Sequence, residues 1–82
     1  MSEPATQRLS DLPTGATATV AAISEHAAPD VVRRLLDLGL TVGTEVKVMR
    51  RAPLQDPTMY RFRDSNFWLG RAQTKHVSVV AE

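Results

Sequence analysis

The sequence predicts a mainly β fold, a small barrel of five strands with one α-helix inserted after the first strand. Two patterns carry this prediction. Apolar and polar residues alternate in five short segments, and one further segment repeats apolar residues at helical spacing. A chain of 82 residues has room for one hydrophobic core. We therefore expect a single domain over residues 9–82, preceded by a flexible N-terminal tail over residues 1–8, which is polar and shows no periodicity.

The first predicted strand covers residues 16–23 and places Ala18, Val20 and Ala22 on its inner face. Ile23 does not fit this alternation. If Ile23 is also buried, the strand must contain an extra residue, so a β-bulge is expected near Ala21.

The clearest element is the amphipathic helix, expected from Pro29 to Leu38. Pro29 suits the first helical turn, because its missing N–H would have no partner within the helix. Gly39 suits the left-handed residue that ends many helices. The residues expected on the core side are Val31, Val32, Leu35, Leu36 and Leu38, and those expected on the solvent side are Arg33, Arg34 and Asp37.

Four more strands are expected after the helix, over residues 44–51, 58–63, 66–69 and 76–80. A hairpin connection with two prolines joins the first two of them, and a tight turn at Asp64 and Ser65 joins the next two. A barrel removes most of the edges that five short strands would expose. The early helix favours an SH3-like barrel over an OB-fold, in which the helix usually comes later. The expected interior consists of Val20, Val46, Val48, Tyr60, Phe62, Phe67, Leu69, Val77 and Val79.

Charge and composition exclude several function classes. Ten Lys and Arg residues against nine Asp and Glu give a formal net charge of +1, which predicts no strong affinity for nucleic acid. The chain has no cysteine and therefore neither a disulfide framework nor a thiolate metal site. It also has no apolar run near the ~18 residues of a membrane span and no apolar signal region. We expect a cytoplasmic protein without direct membrane insertion.

No catalytic motif is present, so the protein is expected not to be an enzyme and to need no cofactor. Glu25, His26 and Asp30 lie close together in sequence at the start of the helix. These are ligand types that hold a divalent cation such as iron or zinc weakly, with His76 or a second chain completing the shell. A shared shell would make a weak homodimer. The favoured interpretation is that both histidines are surface residues without a special role, and the metal site is the alternative.

Four arginines, Arg50, Arg51, Arg61 and Arg63, are predicted to cluster on one outer surface of the hairpin. An RNA-binding barrel uses such a strip, but it also needs exposed aromatic side chains, and only Trp68 is predicted to point outward. A solvated surface is the favoured interpretation. The candidate partner-binding residues are those expected outside the barrel, namely Arg33, Arg34, Pro53, Leu54 and Trp68.

One set of positions, which spans most of residues 9–80, matches the pattern of a known family. The matching positions are Leu12, Gly15, Val20, residues 34–40, Gly43, residues 46–48, residues 52–54, Asp56, Pro57, Leu69 and Val79. On these residues the sequence resembles the FeoA family, small SH3-like proteins associated with bacterial ferrous iron uptake. In three places the sequence departs from the family pattern: Val42 stands where proline is common, Gln55 where glycine is common, and Gly70 separates Leu69 from the arginine that usually follows directly.

The resemblance implies a non-enzymatic accessory protein that docks on the cytoplasmic side of FeoB, a membrane ferrous-iron transporter with a GTP-hydrolysing domain. There it would modulate or scaffold the transporter. Two alternatives remain open at this point. One is a metal-responsive regulatory domain, like the SH3-like module of iron-dependent repressors, although the chain contains no helix-turn-helix. The other is an RNA-binding small barrel.

Overall fold

In the computed structural model, which describes residues 6–82, six antiparallel strands form one sheet in the order β1-β6-β2-β3-β4-β5. One main helix is inserted after the second of these strands, and the mainly β fold expected from the sequence is confirmed. The elements in chain order are β1 (Gln7–Arg8), a 3-10 turn (Leu9–Asp11), β2 (Thr17–Ile23), α1 (Pro29–Asp37), β3 (Glu45–Arg51), β4 (Thr58–Phe62), β5 (Ser65–Leu69), α2 (Arg71–Thr74) and β6 (Val77–Ala81).

The strand β1 corrects the prediction at the N-terminus. Gln7 and Arg8 were assigned to the flexible tail, but they pair with Val79 and Ser78 of β6. Both side chains are exposed, so this two-residue strand leaves no alternating pattern in the sequence. The part of the predicted tail over residues 1–5 lies outside the described residues.

The hydrophobic core agrees closely with the predicted interior. Every residue of the predicted set is buried except Phe67, which is half-buried and stacks on Phe62 with 4.5 Å between the ring centres. Three further residues belong to the core: Leu9 in the 3-10 turn, Leu12 directly after that turn, and Leu40 directly after Gly39. The buried core comprises Leu9, Leu12, Ala18, Val20, Leu35, Leu40, Val46, Val48, Tyr60, Phe62, Leu69, Val77 and Val79.

The bulge expected in β2 is present between Val20 and Ala22, where the pairing with β6 shifts register. The extra residue turns Ile23 towards the core, against which it packs. The same shift turns Ala22 outward, where it is exposed, so its predicted inward position was wrong.

A second bulge, in β3, was not predicted. The pairing with β4 shifts register between Val48 and Arg50, and beyond that point Arg51 lies opposite the buried Thr58. The half-buried Arg51 guanidinium donates to Thr58 Oγ1 at 3.1 Å and to the carbonyl oxygen of Leu12. The prediction that Arg51 faces solvent was therefore wrong, because one extra residue reverses the side on which later residues lie.

The helix α1 buries a narrow stripe. Leu35 is fully buried, and Val31 and Leu38 pack against the core. Leu36, also predicted to face the core, is 45% exposed. At about 100° per residue, Val31, Leu35 and Leu38 fall within about 60° of one another, whereas Leu36 lies about 140° from Val31. The core therefore covers only the narrow stripe formed by Val31, Leu35 and Leu38.

Candidate functional site

A row of three side chains crosses the outer surface of the sheet. Arg50 lies opposite Met59, and Met59 lies opposite Trp68, so the three residues stand side by side on β3, β4 and β5. The guanidinium carbon of Arg50 is 5.7 Å from the centre of the Trp68 ring, within the range of a cation–π interaction. Trp68 is nevertheless 45% exposed. We call these three residues the Trp68 row.

The hairpin connection between β3 and β4 lies beside this row, because it begins two residues after Arg50 and ends two residues before Met59. Its backbone is held by the Ala52 N–H, which donates to the Pro57 carbonyl at 2.9 Å. At its tip, Leu54 is 89% exposed. The structure thus places the exposed tip and the exposed Trp68 at the same end of the sheet, with the Arg50 guanidinium over the Trp68 ring.

Two further contacts fix the base of this connection. The Gln55 N–H donates to the Ala52 carbonyl at 2.8 Å, and the Asp56 carboxylate accepts from the Arg71 N–H at 2.9 Å. The exposed Pro53 and Leu54 therefore project from an anchored loop. An anchored apolar tip loses less conformational entropy on binding than a free one.

Arg33 and Arg34 lie elsewhere. Both side chains are exposed, but α1 is not part of the sheet. The five predicted partner-binding residues are all exposed. Pro53, Leu54 and Trp68 lie at one end of the sheet, whereas Arg33 and Arg34 lie on α1.

The predicted cluster of four arginines is divided. Arg51 turns inward, as described above, and Arg63 donates from Nε to the carbonyl oxygen of Gly39 at 2.7 Å. Arg50 and Arg61 remain exposed on the outer face of the sheet. The basic surface is therefore smaller than the sequence indicates, since half of its members bind backbone carbonyls of the same chain.

The four candidate metal ligands do not form a site within one chain. Glu25, His26 and Asp30 are exposed, and His76 is half-buried. The described part of the chain contains no group of three or more His, Asp or Glu side chains that could hold a metal ion. The version of the prediction in which a second chain completes the shell stays a prediction.

Two exposed apolar residues were missed as candidates. Leu36 lies on the flank of α1, and Val42 is 67% exposed in the turn between α1 and β3. The signal for Val42 is its place between two turn glycines, Gly39 and Gly43, where an apolar side chain has no strand or helix to bury it.

No helix among residues 6–82 is long and apolar enough to span a bilayer.

Comparisons with known proteins agree on one family. The family model described as the FeoA domain matches residues 7–81. A FeoA protein from Chlorobium tepidum is 36% identical, with a TM-score of 0.83 over 92% of this chain and 70% of that chain. FeoA from Stenotrophomonas maltophilia, an SH3 domain protein complexed with zinc, is 31% identical, with a TM-score of 0.77 over 89% of this chain and 88% of that chain.

A longer relative is a fusion protein from Porphyromonas gingivalis, described as Fe(2+) transport protein A/Fe(2+) transporter FeoB. It is 33% identical over 72 residues, which are 88% of this chain but 8% of the relative. The chain therefore spans a small part of that protein's length. The SH3-like fold and the family resemblance inferred from the sequence are both confirmed, and the chain belongs to the FeoA family.

Proposed function

We propose that this protein is a non-enzymatic accessory protein of bacterial ferrous iron uptake, which docks on the cytoplasmic GTP-hydrolysing domain of a FeoB-type transporter and modulates or scaffolds it. The Porphyromonas gingivalis fusion supports this proposal, because it joins a similar region and a FeoB transporter in one chain. Linking two modules makes their contact intramolecular and raises its effective concentration. A fusion to a transporter supports an accessory role in transport more than it supports a metal-responsive regulatory domain.

The proposed docking surface rests on one observation. Leu54 and Trp68 are both apolar and exposed, and the Arg50 guanidinium lies over the Trp68 ring. Interface anchors are commonly aromatic, and they contribute most of the affinity, while charges at the rim mainly affect the association rate and its salt dependence. The barrel interior is filled by the core, so the partner must be recognised from outside. Arg33 and Arg34 on α1 are proposed as a second, separate contact.

The experiment is a calorimetric titration with the isolated cytoplasmic domain of the cognate transporter, with and without guanine nucleotide. We expect Leu54→Ala and Trp68→Ala each to weaken binding by about 1–2 kcal/mol. Arg50→Ala should chiefly flatten the dependence of the affinity on salt. Val42→Ala is the matched control, because Val42 is apolar and exposed but lies outside this surface.

The circular dichroism spectrum of each variant must first match that of the unaltered protein. Binding at full strength by folded Leu54→Ala and Trp68→Ala would place the docking surface elsewhere. A titration without heat for the unaltered protein, repeated by pull-down, would contradict docking itself.

Metal binding is proposed only as a shared site. The zinc complex of the Stenotrophomonas maltophilia relative supports testing this ion first. Zinc titration should produce dimers, seen by light scattering, and His26→Ala should abolish them. Acid should weaken the effect, because protons compete with the metal ion for its ligands. Monomers at every zinc concentration would remove the idea.

A further inference from the structure

We propose that the free edge of β5 receives an acidic, extended segment of the partner as an additional strand. This inference rests on the proposed docking function and specifies how contact is made. It starts from the sheet order, in which β1 and β5 are the two edges. The edge at β1 is only two residues long, whereas β5 offers five residues from Ser65 to Leu69.

The hairpin turn determines which backbone groups of β5 face outward. Phe62 pairs with Ser65, so the turn contains only two residues, Arg63 and Asp64, which have φ of 52° and 62°. In such a two-residue turn of type I′ the flanking pair exchanges backbone hydrogen bonds, and every second pair beyond it does the same. Phe67 therefore bonds to Tyr60. Asn66 and Trp68 direct their N–H and carbonyl groups away from β4.

These outward groups are unoccupied within residues 6–82. No backbone or side-chain group of the described chain bonds to the N–H or carbonyl of Asn66 or Trp68. Both residues are exposed. A partner strand laid along β5 would therefore find two ready donors and two ready acceptors, spaced as in an ordinary antiparallel or parallel ladder.

The composition of β5 also favours an added strand. Edge strands of monomeric proteins are usually protected by a proline, a charged residue or a bulge. The segment Ser-Asn-Phe-Trp-Leu has no proline and no charge, and its pairing with β4 is regular over all five residues. An unprotected apolar edge strand promotes aggregation unless a partner covers it.

The charges beside this edge select the occupant. On the outer face, Arg61 donates to Asn66 Oδ1 at 3.3 Å, and Arg50 lies over Trp68. Both guanidinium groups thus lie over β5. A strand placed next to β5 would set its outward side chains beside Asn66 and Trp68, and therefore next to these two cations. Acidic side chains in the partner segment would gain from both arginines.

The same charges disfavour a second copy of this chain. Pairing β5 with β5 of another molecule would extend the sheet and bring two sets of Arg50 and Arg61 onto one continuous face. Like charges so placed repel. The occupant is therefore a different chain that carries acidic residues, and the cytoplasmic domain of the transporter is the probe to use.

Two substitutions at one position separate backbone from side-chain effects. Asn66→Pro removes the outward N–H while leaving the ladder to β4 intact, because that N–H does not point to β4. Asn66→Ala keeps the N–H, and like Asn66→Pro it loses the hydrogen bond that Arg61 donates to the Asn66 side chain. We expect Asn66→Pro to weaken binding about tenfold or more, and Asn66→Ala by about threefold or less. Arg61→Gln should reduce the salt dependence of binding.

Hydrogen exchange measured by NMR gives a second readout. In the free protein the Asn66 and Trp68 amides should exchange fast while that of Phe67 is protected, and binding should protect all three. If the unaltered protein binds but both Asn66 variants bind equally and these amides stay unprotected, this inference fails and the docking function stands. Absence of binding by the unaltered protein contradicts both. Protection that rises with protein concentration alone would identify a second copy as the occupant and overturn the proposal.

Discussion

Arg63 Nε donates to the carbonyl oxygen of Gly39 at 2.7 Å, which joins the β4–β5 turn to the C-terminal end of α1. Gly39 has φ of +95°, and a Cβ atom placed on it would lie 2.6 Å from Cδ of Arg63. Arg63 Nη2 also donates to Thr41 Oγ1 at 3.1 Å. A Cβ atom at position 39 would therefore strain the backbone and would also displace the Arg63 side chain.

Gly39→Ala should lower the free energy of unfolding by about 1–2 kcal/mol from backbone strain, with a further cost for displacing Arg63. In an Arg63→Ala background the second cost is gone, so the same substitution should cost less by about 0.5 kcal/mol or more. Urea denaturation of the four proteins in this double-mutant cycle measures the difference. Equal costs in both backgrounds would show that the arginine moves aside freely.

The interior of the barrel was predictable because apolar and polar residues alternate along a strand that buries one of its faces. Val46, Val48 and Tyr60 were assigned inward from period two alone, and all three are buried. The same pattern fails where the backbone gains a residue. The bulge in β3 turns the Arg51 side chain inward. No feature of the sequence between Val48 and Arg51 predicts this bulge, because the extra residue depends on how β3 pairs with β4.

The candidate site was predictable in part. Leu54 and Trp68 were assigned outward, and the structure leaves both exposed. The register that places Trp68 opposite Met59 and Met59 opposite Arg50 is a long-range property, so the Trp68 row could not be derived from local pattern. The turn was predicted one residue late, because Arg63 adopts a positive φ that arginine seldom takes without side-chain contacts such as those to Gly39.

Leu35 and Leu36 provide a matched pair on α1, with the same side chain at 0% and 45% exposure. Leu35→Ala should lower the free energy of unfolding by about 2–5 kcal/mol, because it leaves a cavity between helix and sheet. Leu36→Ala should cost less than about 1 kcal/mol. Thermal and urea unfolding compare the two. Similar midpoints for both variants would contradict the assignment of the buried stripe.

Gln55 has φ of 70° in the connection between β3 and β4, and its side chain is exposed. Gln55→Gly should raise the free energy of unfolding by about 0.5 kcal/mol, because relief of the left-handed strain exceeds the entropy that glycine adds to the unfolded chain. Gln55→Ala keeps a Cβ atom and should give no gain. A loss of stability in the glycine variant would mean that the glutamine side chain makes a contact of its own.

The last prediction concerns Glu45 and Glu82, whose carboxyl groups interact beside Thr19, the residue of β2 that pairs with Glu45. Thr19 Oγ1 donates to Glu82 Oε1 at 3.0 Å. The pKa of Glu45 is raised above its usual value of 4.5, first because its protonated form hydrogen-bonds to Glu82 and second because the two negative charges repel. The folded state therefore holds this proton more tightly than the unfolded state.

The sign of the pH dependence follows from that difference. The stabilising contribution of the pair is fully present below pH 4.5 and is lost as the pH rises through the higher pKa of Glu45 in the folded protein. Glu45→Gln cannot titrate, so its melting temperature should fall less than that of the unaltered protein as the pH increases across this range. Glu82→Gln should return the pKa of Glu45, followed by NMR, towards its usual value. An unchanged Glu45 titration in Glu82→Gln would show that the two carboxyl groups do not interact in solution.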